Sequence, residues 1–156
     1  PLTGKLTQVV SGNTDTNNAD GNLSMLQSPD NICVTENFVY IQEDPNSFDR
    51  GHPAYIYQTD LNGNNARVVL ELIVRNDLDP SGSTGLSGEF GALIDISDKV
   101  GEDDVFLLAL QPHYWESEDF KNLDGHDMET NGAAIAAGAR EDDQGSQIVV
   151  LKGLPR

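Results

Sequence analysis

The chain has 156 residues and a formal net charge of −17, from 26 acidic and 9 basic residues. This excess of carboxylates repels phosphate backbones and anionic lipids, so we expect no nucleic-acid partner and no membrane partner. No apolar run approaches the roughly 18 residues of a membrane-spanning helix, and the single cysteine, Cys33, excludes an intrachain disulfide.

Short aliphatic bursts between stretches rich in Asn, Asp, Gly and Ser indicate an all-β protein with long loops. The first candidate strand is KLTQVV (5–10), and a polar loop (11–24) follows it. A block of four strands comes next. A tight turn at Glu36 and Asn37 joins the first two, and the turn sequence NGNN joins the last two, because Asn and Gly accept the positive φ of tight turns. The predicted strands are 31–36, 38–44, 54–61 and 66–73.

The second half of the chain has fewer and more widely spaced strands. After a polar loop, two strands (91–97 and 105–111) are joined by the predicted turn DKVGEDD. A long irregular stretch (112–145) separates them from a last strand (146–154). The pattern therefore predicts a second antiparallel sheet with a long insertion.

Four short antiparallel strands in roughly 45 residues form the repeating unit of a β-propeller. The chain then contains an outer strand (5–10), one whole blade (31–73) and one blade with a long insertion (89–154), about two and a fraction blades of the fold. A closed propeller needs at least four blades. We therefore expect part of a larger propeller, in which remaining blades or another protein chain cover the open strand edges. A small β-sandwich is the alternative.

Two adjacent carboxylates, Glu43 and Asp44, end the second strand of the whole blade. Neighbouring residues of an ideal strand point to opposite faces, but the Pro turn that follows relaxes this restriction. Hard oxygen ligands presented by loops suit Ca²⁺. The pair is therefore either part of a metal site or a solvated acidic strand end.

Other residues that could bind a metal or transfer a proton lie near strand ends. His113 follows an apolar strand, and His126 lies among carboxylates in DGHDMETNG. Histidine can bind a metal or carry a proton near neutral pH. We interpret His52 as a loop residue and Cys33 as a buried small hydrophobe. Asp95, inside LIDIS, needs partners if it is buried, either as a hydrogen-bonded structural residue or as a ligand. The sequence contains no P-loop, no dinucleotide fingerprint and no G-x-S-x-G elbow.

Three stretches occur in an order that points to one group of proteins. They are SPDNICVTENFVYIQED (28–44), SGEFGALIDISDKVGEDDVFLLALQPH (87–113) and GSQIVVLKGL (145–154). They resemble segments of the secreted β-propeller phosphoesterases, namely the PhoX-type alkaline phosphatases and the related esterase-like phytases. The chain begins without Met and without a basic and apolar leader, which suits a processed, exported protein or a piece of a longer one.

The resemblance implies a secreted (extracellular or periplasmic) hydrolase whose active site lies in or near the propeller channel. It implies hydrolysis of phosphate-ester small molecules with Ca²⁺ and, in PhoX-type enzymes, Fe. The positions that match the motifs of this family are Asp30 and Asn31, Glu43 and Asp44, Glu89, and Gln111 and His113.

From this match we expect Glu43, Asp44, Glu89 and Asp30 to be metal ligands, and His113 to be a ligand or proton carrier. Several basic residues that would hold phosphate have no counterpart, and Arg140, beside a glycine-rich turn, is the candidate. The stretch EFGALID also departs from the family pattern, which has a further Glu and a pair of small residues after Gly-Glu. The alternative function is a non-catalytic, calcium-stabilised propeller piece of a larger extracellular assembly.

Overall fold

The structure is a computed structural model, and it describes residues 3–13, 20–44, 52–72, 89–111 and 147–156. These ranges form two antiparallel sheets and one helical turn, which confirms the all-β prediction. The elements are β1 (Pro29–Val34), β2 (Phe38–Glu43), β3 (Tyr55–Asp60), β4 (Arg67–Glu71), β5 (Glu89–Asp95), α1 (Ser97–Val100), β6 (Val105–Gln111) and β7 (Gln147–Lys152).

The first sheet is an antiparallel meander of four strands in the order β1-β2-β3-β4. The β1–β2 hairpin closes where the backbone N–H of Thr35 donates to the carbonyl of Phe38 at 2.9 Å. Glu36 and Asn37 therefore form the tight turn that the sequence predicts. The sheet has the strand count and connectivity of one propeller blade.

The β3–β4 turn is organised by Asp60. Its Oδ1 accepts hydrogen bonds from the backbone N–H groups of Asn62 and Asn64, at 2.8 and 2.9 Å. Gly63 and Asn65 take φ values of 81° and 57°, so the NGNN sequence supplies the residues that tolerate this backbone. These hydrogen bonds, from Asn64 first, hold the pKa of the Asp60 carboxyl below its ordinary value.

The second sheet has the described strand order β5-β6-β7. The stretch predicted as a turn between β5 and β6 contains the helical turn α1. The N–H of Gly101 donates to the carbonyl of Ser97 at 2.9 Å, and Gly101 ends α1 with a φ of 71°. Six consecutive residue pairs join β6 to β7 without a shift in register.

A shared core holds the two sheets together. It includes Cys33 and Tyr40 from the first sheet and Phe90 and Phe106 from the second. The rings of Tyr40 and Phe106 meet edge to face with centroids 5.8 Å apart. Cys33 is buried, as predicted.

The first strands of the two sheets lie side by side and run in the same direction. The Cys33 thiol, near the end of β1, lies beside the backbone of Asp95, which ends β5. β1 and β2 both contact β5. Two meanders whose leading strands are parallel neighbours are consistent with two adjacent blades of a partial propeller.

The prediction of a strand at residues 5–10 is wrong. Residues 3–9 are exposed and have no strand partner among the described residues. The chain is held here by Asn22, whose Nδ2 donates to the Val9 carbonyl at 3.0 Å and whose Oδ1 accepts from the Ser11 N–H at 2.7 Å. These bonds use backbone groups that a ladder would need, and Val10 instead packs beside Ile41 on the far face of the first sheet.

Candidate functional site

The acidic residues singled out by the sequence lie at one end of the two sheets. β1 and β2 are antiparallel, so the start of β1 meets the end of β2, and Pro29 stands opposite Glu43. The N–H of Asp44 donates to the carbonyl of Ser28 at 3.0 Å. Because β5 runs in the same direction as β1, Glu89 starts its strand at this same end. We call Asp30, Glu43, Asp44 and Glu89 the acidic end.

Glu43 is fully buried and anchors two parts of the backbone. Its Oε1 accepts a hydrogen bond from the N–H of Gln27 at 2.7 Å, and its Oε2 accepts one from the N–H of Tyr55 at 3.1 Å. A buried carboxylate is tolerated only when such donors replace water. Both oxygens of Glu43 therefore stabilise the fold, and this residue joins the segment before β1 to the start of β3.

His52 belongs to the same buried cluster, which its interpretation as a loop residue did not anticipate. Its Nδ1 lies 2.8 Å from the Pro53 carbonyl and 3.7 Å from Glu43 Oε2, and its Nε2 lies 3.1 Å from the Met25 carbonyl. The imidazole stacks on the Tyr55 ring with centroids 4.3 Å apart. The histidine therefore closes one side of the pocket in which Glu43 is buried.

Tyr57 completes this cluster next to Glu43. Its side chain is 1% exposed, and its ring meets that of Tyr55 edge to face. Burial first, and then the negative charge of Glu43, raise the pKa of the Tyr57 hydroxyl. The hydroxyl therefore stays protonated, and the buried cluster carries no second negative oxygen beside Glu43.

The other acidic-end residues are more accessible. Asp30 is exposed, and its Oδ2 accepts a hydrogen bond from Asn31 Nδ2 at 2.6 Å. Asp44 and Glu89 are half-buried, and Glu89 stands opposite Gln111 across the β5–β6 pair. Within the described ranges, no group of three or more His, Cys, Asp and Glu side chains is placed to hold a metal ion. These residues alone therefore do not form a complete metal site.

Gln42, next to Glu43, is a buried amide without a hydrogen-bond partner among the described residues. The side chain is fully buried, and neither Oε1 nor Nε2 finds a donor or acceptor in the part of the chain that the structure describes. It stands between Asn31 of β1 and Ile56 of β3. A buried amide in this state is destabilising unless something outside the described residues satisfies it.

The opposite end of the sheets is held by Arg156. Its Nη1 lies 2.7 Å from Asp98 Oδ1, and its Nε lies 3.3 Å from Asp95 Oδ2. Asp95 Oδ1 accepts from the Ser97 N–H at 2.9 Å, which makes Asp95 a hydrogen-bonded structural residue. The hydrogen bond from Arg156 holds the pKa of Asp98 below its ordinary value. Sequence reasoning did not single out Arg156, because no local motif surrounds it.

His113, Arg140 and His126 lie outside the described residues, so their expected roles stay predictions. No helix in the described part of the chain is long and apolar enough to cross a membrane. The chain matches no protein-family model, no curated protein sequence and no solved structure.

Proposed function

We propose that the chain is part of a secreted, metal-dependent phosphoric ester hydrolase of the β-propeller type. The observation that carries this proposal is the position of the acidic end. The stretches that resemble the PhoX-type and phytase-like enzymes fold into the β1–β2 hairpin, the β5–β6 pair and β7. Their matched carboxylates then fall at one end of two neighbouring blades, where loops of a propeller commonly build a site.

Asp30, Asp44 and Glu89 are the residues of this chain that would contribute to a Ca²⁺ or Fe site, because they are more accessible than Glu43. Residues outside the described ranges must complete the ligand set. A bound cation would polarise a phosphoryl oxygen and help to form the attacking nucleophile. We assign His113 to proton transfer or metal binding, and Arg140 to binding the phosphate anion.

Hydrolysis of p-nitrophenyl phosphate by the intact propeller that contains this chain, with Ca²⁺ and Fe supplied and then removed by EDTA, tests this function. We expect Asp44→Asn and Glu89→Gln each to lower the metal-dependent rate at least about tenfold, because each removes a charged oxygen ligand. Asp103→Asn is the matched control, since Asp103 is exposed in the turn before β6. The proposal fails if no hydrolysis occurs with either metal, or if EDTA and both variants leave the rate unchanged.

A second candidate is a non-catalytic, calcium-stabilised propeller piece of an extracellular assembly. The observation that favours a non-catalytic role is the burial of Glu43, a carboxylate of the acidic end whose two oxygens accept hydrogen bonds from backbone N–H groups and so stabilise the fold. The melting temperature of the same samples separates the two candidates. Calcium at about 100 times its Kd stabilises a protein by about 2.7 kcal/mol. A calcium-dependent rise in melting temperature without hydrolysis supports this candidate, and insensitivity to both calcium and EDTA contradicts it.

A further inference from the structure

A short segment leaves the second sheet after β7 and turns toward the first. Gly153 has a φ of 92°, and its N–H donates to the Asp104 carbonyl at 2.9 Å. Residues 154–156, which we call the strap, follow it. Leu154 is buried in the core that the two sheets share, and the Arg156 N–H donates to Asp104 Oδ1 at 3.1 Å. Because glycine tolerates a left-handed backbone, Gly153 is the point about which the strap can turn.

The strap is bonded to the first sheet by side chains at one end of the β1–β2 hairpin. Asn37, in the hairpin turn, donates from Nδ2 to the Arg156 carbonyl at 2.7 Å. The Tyr40 hydroxyl, from β2, donates to the Pro155 carbonyl. Arg156 Nη2 also lies 3.6 Å from Glu36 Oε1. The strap, continuous with the second sheet through β7, is therefore fastened to the first by hydrogen bonds to its backbone.

The direction of the Tyr40 hydroxyl is set by a chain of hydrogen bonds that begins in β4. Arg67 Nε donates to Gln58 Oε1 at 2.8 Å, and Gln58 Nε2 donates to the Tyr40 hydroxyl at 2.7 Å. A guanidinium group only donates, so it holds the carbonyl end of the Gln58 amide toward Arg67. The NH₂ end of the amide then faces Tyr40, where the hydroxyl oxygen accepts.

The same polarity continues from Tyr40 to the strap. Because the hydroxyl oxygen accepts from Gln58, its own proton is available to the Pro155 carbonyl, which can only accept. The side chains of Gln58 and Tyr40 are buried, and hydrogen bonds in such surroundings polarise and strengthen one another. Arg67, which is exposed at the start of β4, is thus linked to the strap through two buried side chains.

We propose that the strap opens and closes as a unit about Gly153, and that Arg67 stabilises its closed state through Gln58 and Tyr40. Without Arg67 the Gln58 amide is free to rotate, and it no longer fixes the Tyr40 hydroxyl as a donor to Pro155. The strap then opens more often while both sheets stay folded, because local opening costs less free energy than global unfolding. This coupling is independent of the proposed hydrolase activity.

Amide hydrogen exchange of the full chain, followed by NMR, tests the proposal. We expect Tyr40→Phe and Arg67→Met each to accelerate exchange of the Arg156 N–H at least about fivefold, because each breaks the chain of hydrogen bonds that ends at the strap. Lys152→Met is the matched control. Lys152 ends β7 and forms an exposed ion pair with Glu102 within the second sheet's half of the chain, so its loss should leave this exchange unchanged.

The double variant Tyr40→Phe with Arg67→Met separates coupling from two independent losses. If Arg67 acts through Tyr40, the double variant exchanges the Arg156 N–H about as fast as Tyr40→Phe alone, whereas independent effects multiply. The amides of β2 and β3 report global unfolding in the same spectra. Their exchange should change by a smaller factor than that of the Arg156 N–H.

Three results would overturn the proposal. The first is a wild-type exchange rate for the Arg156 N–H in Arg67→Met. The second is a double variant whose acceleration equals the product of the two single effects. The third is an equal acceleration of the Arg156 N–H and of the β2 and β3 amides, because the substitutions would then destabilise the whole fold and not the strap.

Discussion

Two buried glutamines in neighbouring strands, Gln42 and Gln58, differ in the hydrogen bonds that their side-chain amides make within the described residues. Gln58 Nε2 donates to the Tyr40 hydroxyl at 2.7 Å, and its Oε1 accepts from Arg67 Nε at 2.8 Å. The Tyr40 hydroxyl in turn donates to the Pro155 carbonyl. Gln42 is equally buried and has no such partners within the described residues. The buried, hydrogen-bonded amide of Gln58 therefore stabilises the fold, whereas the buried amide of Gln42 lowers its stability.

Replacing Gln42 by methionine should raise the free energy of unfolding by about 1–3 kcal/mol, because methionine keeps the length of the side chain and removes the unsatisfied amide. The matched variant Gln58→Met should lower it, because Tyr40 and Arg67 lose a buried partner. Urea unfolding of both variants measures the difference. A lower stability for Gln42→Met would mean that the amide does have a partner in the folded protein.

The sequence indicated where the acidic residues stand but not what surrounds them. The tight turn at Glu36 and Asn37 and the antiparallel pairing of β1 with β2 made the grouping of Asp30 with Glu43 and Asp44 predictable. The donors to Glu43 come from residues 27 and 55, which are 16 and 12 positions away. No local pattern reveals that a backbone N–H from such a distance will point at a carboxylate. The burial of His52 against Glu43 is unpredictable for the same reason.

Gly63 and Gly101 both have a left-handed backbone conformation, but their surroundings differ. Gly63, in the β3–β4 turn, has a φ of 81°, and a Cβ there would lie 2.4 Å from Val9 Cγ1. Gly101, which ends α1, has a φ of 71°, and among the described residues no atom beyond its own chain neighbours lies within 4 Å of its Cβ position. Gly101 therefore serves backbone conformation alone, whereas Gly63 also makes room for the chain that covers the turn.

Gly101→Ala should lower the free energy of unfolding by about 1 kcal/mol through backbone strain. Gly63→Ala should cost about 1–3 kcal/mol more, because Val9 must also move. Thermal or urea unfolding of the two variants compares them directly. Equal losses in both variants would show that the contact between Val9 and the β3–β4 turn contributes nothing to stability.

Element prediction succeeded where both partners of a strand pair are close in sequence. The hairpins β1–β2 and β3–β4 follow from short apolar segments and from the tight turns between them, of which the β3–β4 turn uses positive φ at Gly63 and Asn65. It failed for residues 5–10, which contain residues common in strands but are held by Asn22 instead of by a described neighbouring strand. The sequence also predicted a turn where the structure has α1, because four residues are too few for a helical period to appear.

At the scale of the whole molecule, the dominant electrostatic term is self-repulsion. The charge of −17 is spread over a chain of 156 residues. Arg156, which lies near Asp95, Asp98 and Glu36, is one place where a cation offsets neighbouring carboxylates. Such repulsion acts over distances that dissolved salt screens effectively, whereas the buried contacts of Glu43 are screened much less.

The melting temperature should therefore rise with ionic strength, by about 2–5 °C between low salt and roughly 0.5 M NaCl. Differential scanning calorimetry over a NaCl series measures it. CaCl₂ at matched ionic strength is the control, since an additional rise there indicates calcium binding and not screening. A melting temperature that falls as NaCl is added would show that favourable ion pairs outweigh repulsion.

Alkylation of the Cys33 thiol reports how often the two sheets separate. The thiol lies in the core that both sheets share, and burial raises its pKa. A thiol reagent therefore reacts only after the sheets part, because the reactive thiolate is rare and shielded in the closed state. Since the chain has no other cysteine, the rate of alkylation measures how often the contact between the two sheets opens at Cys33, and openings elsewhere in the chain do not contribute to it.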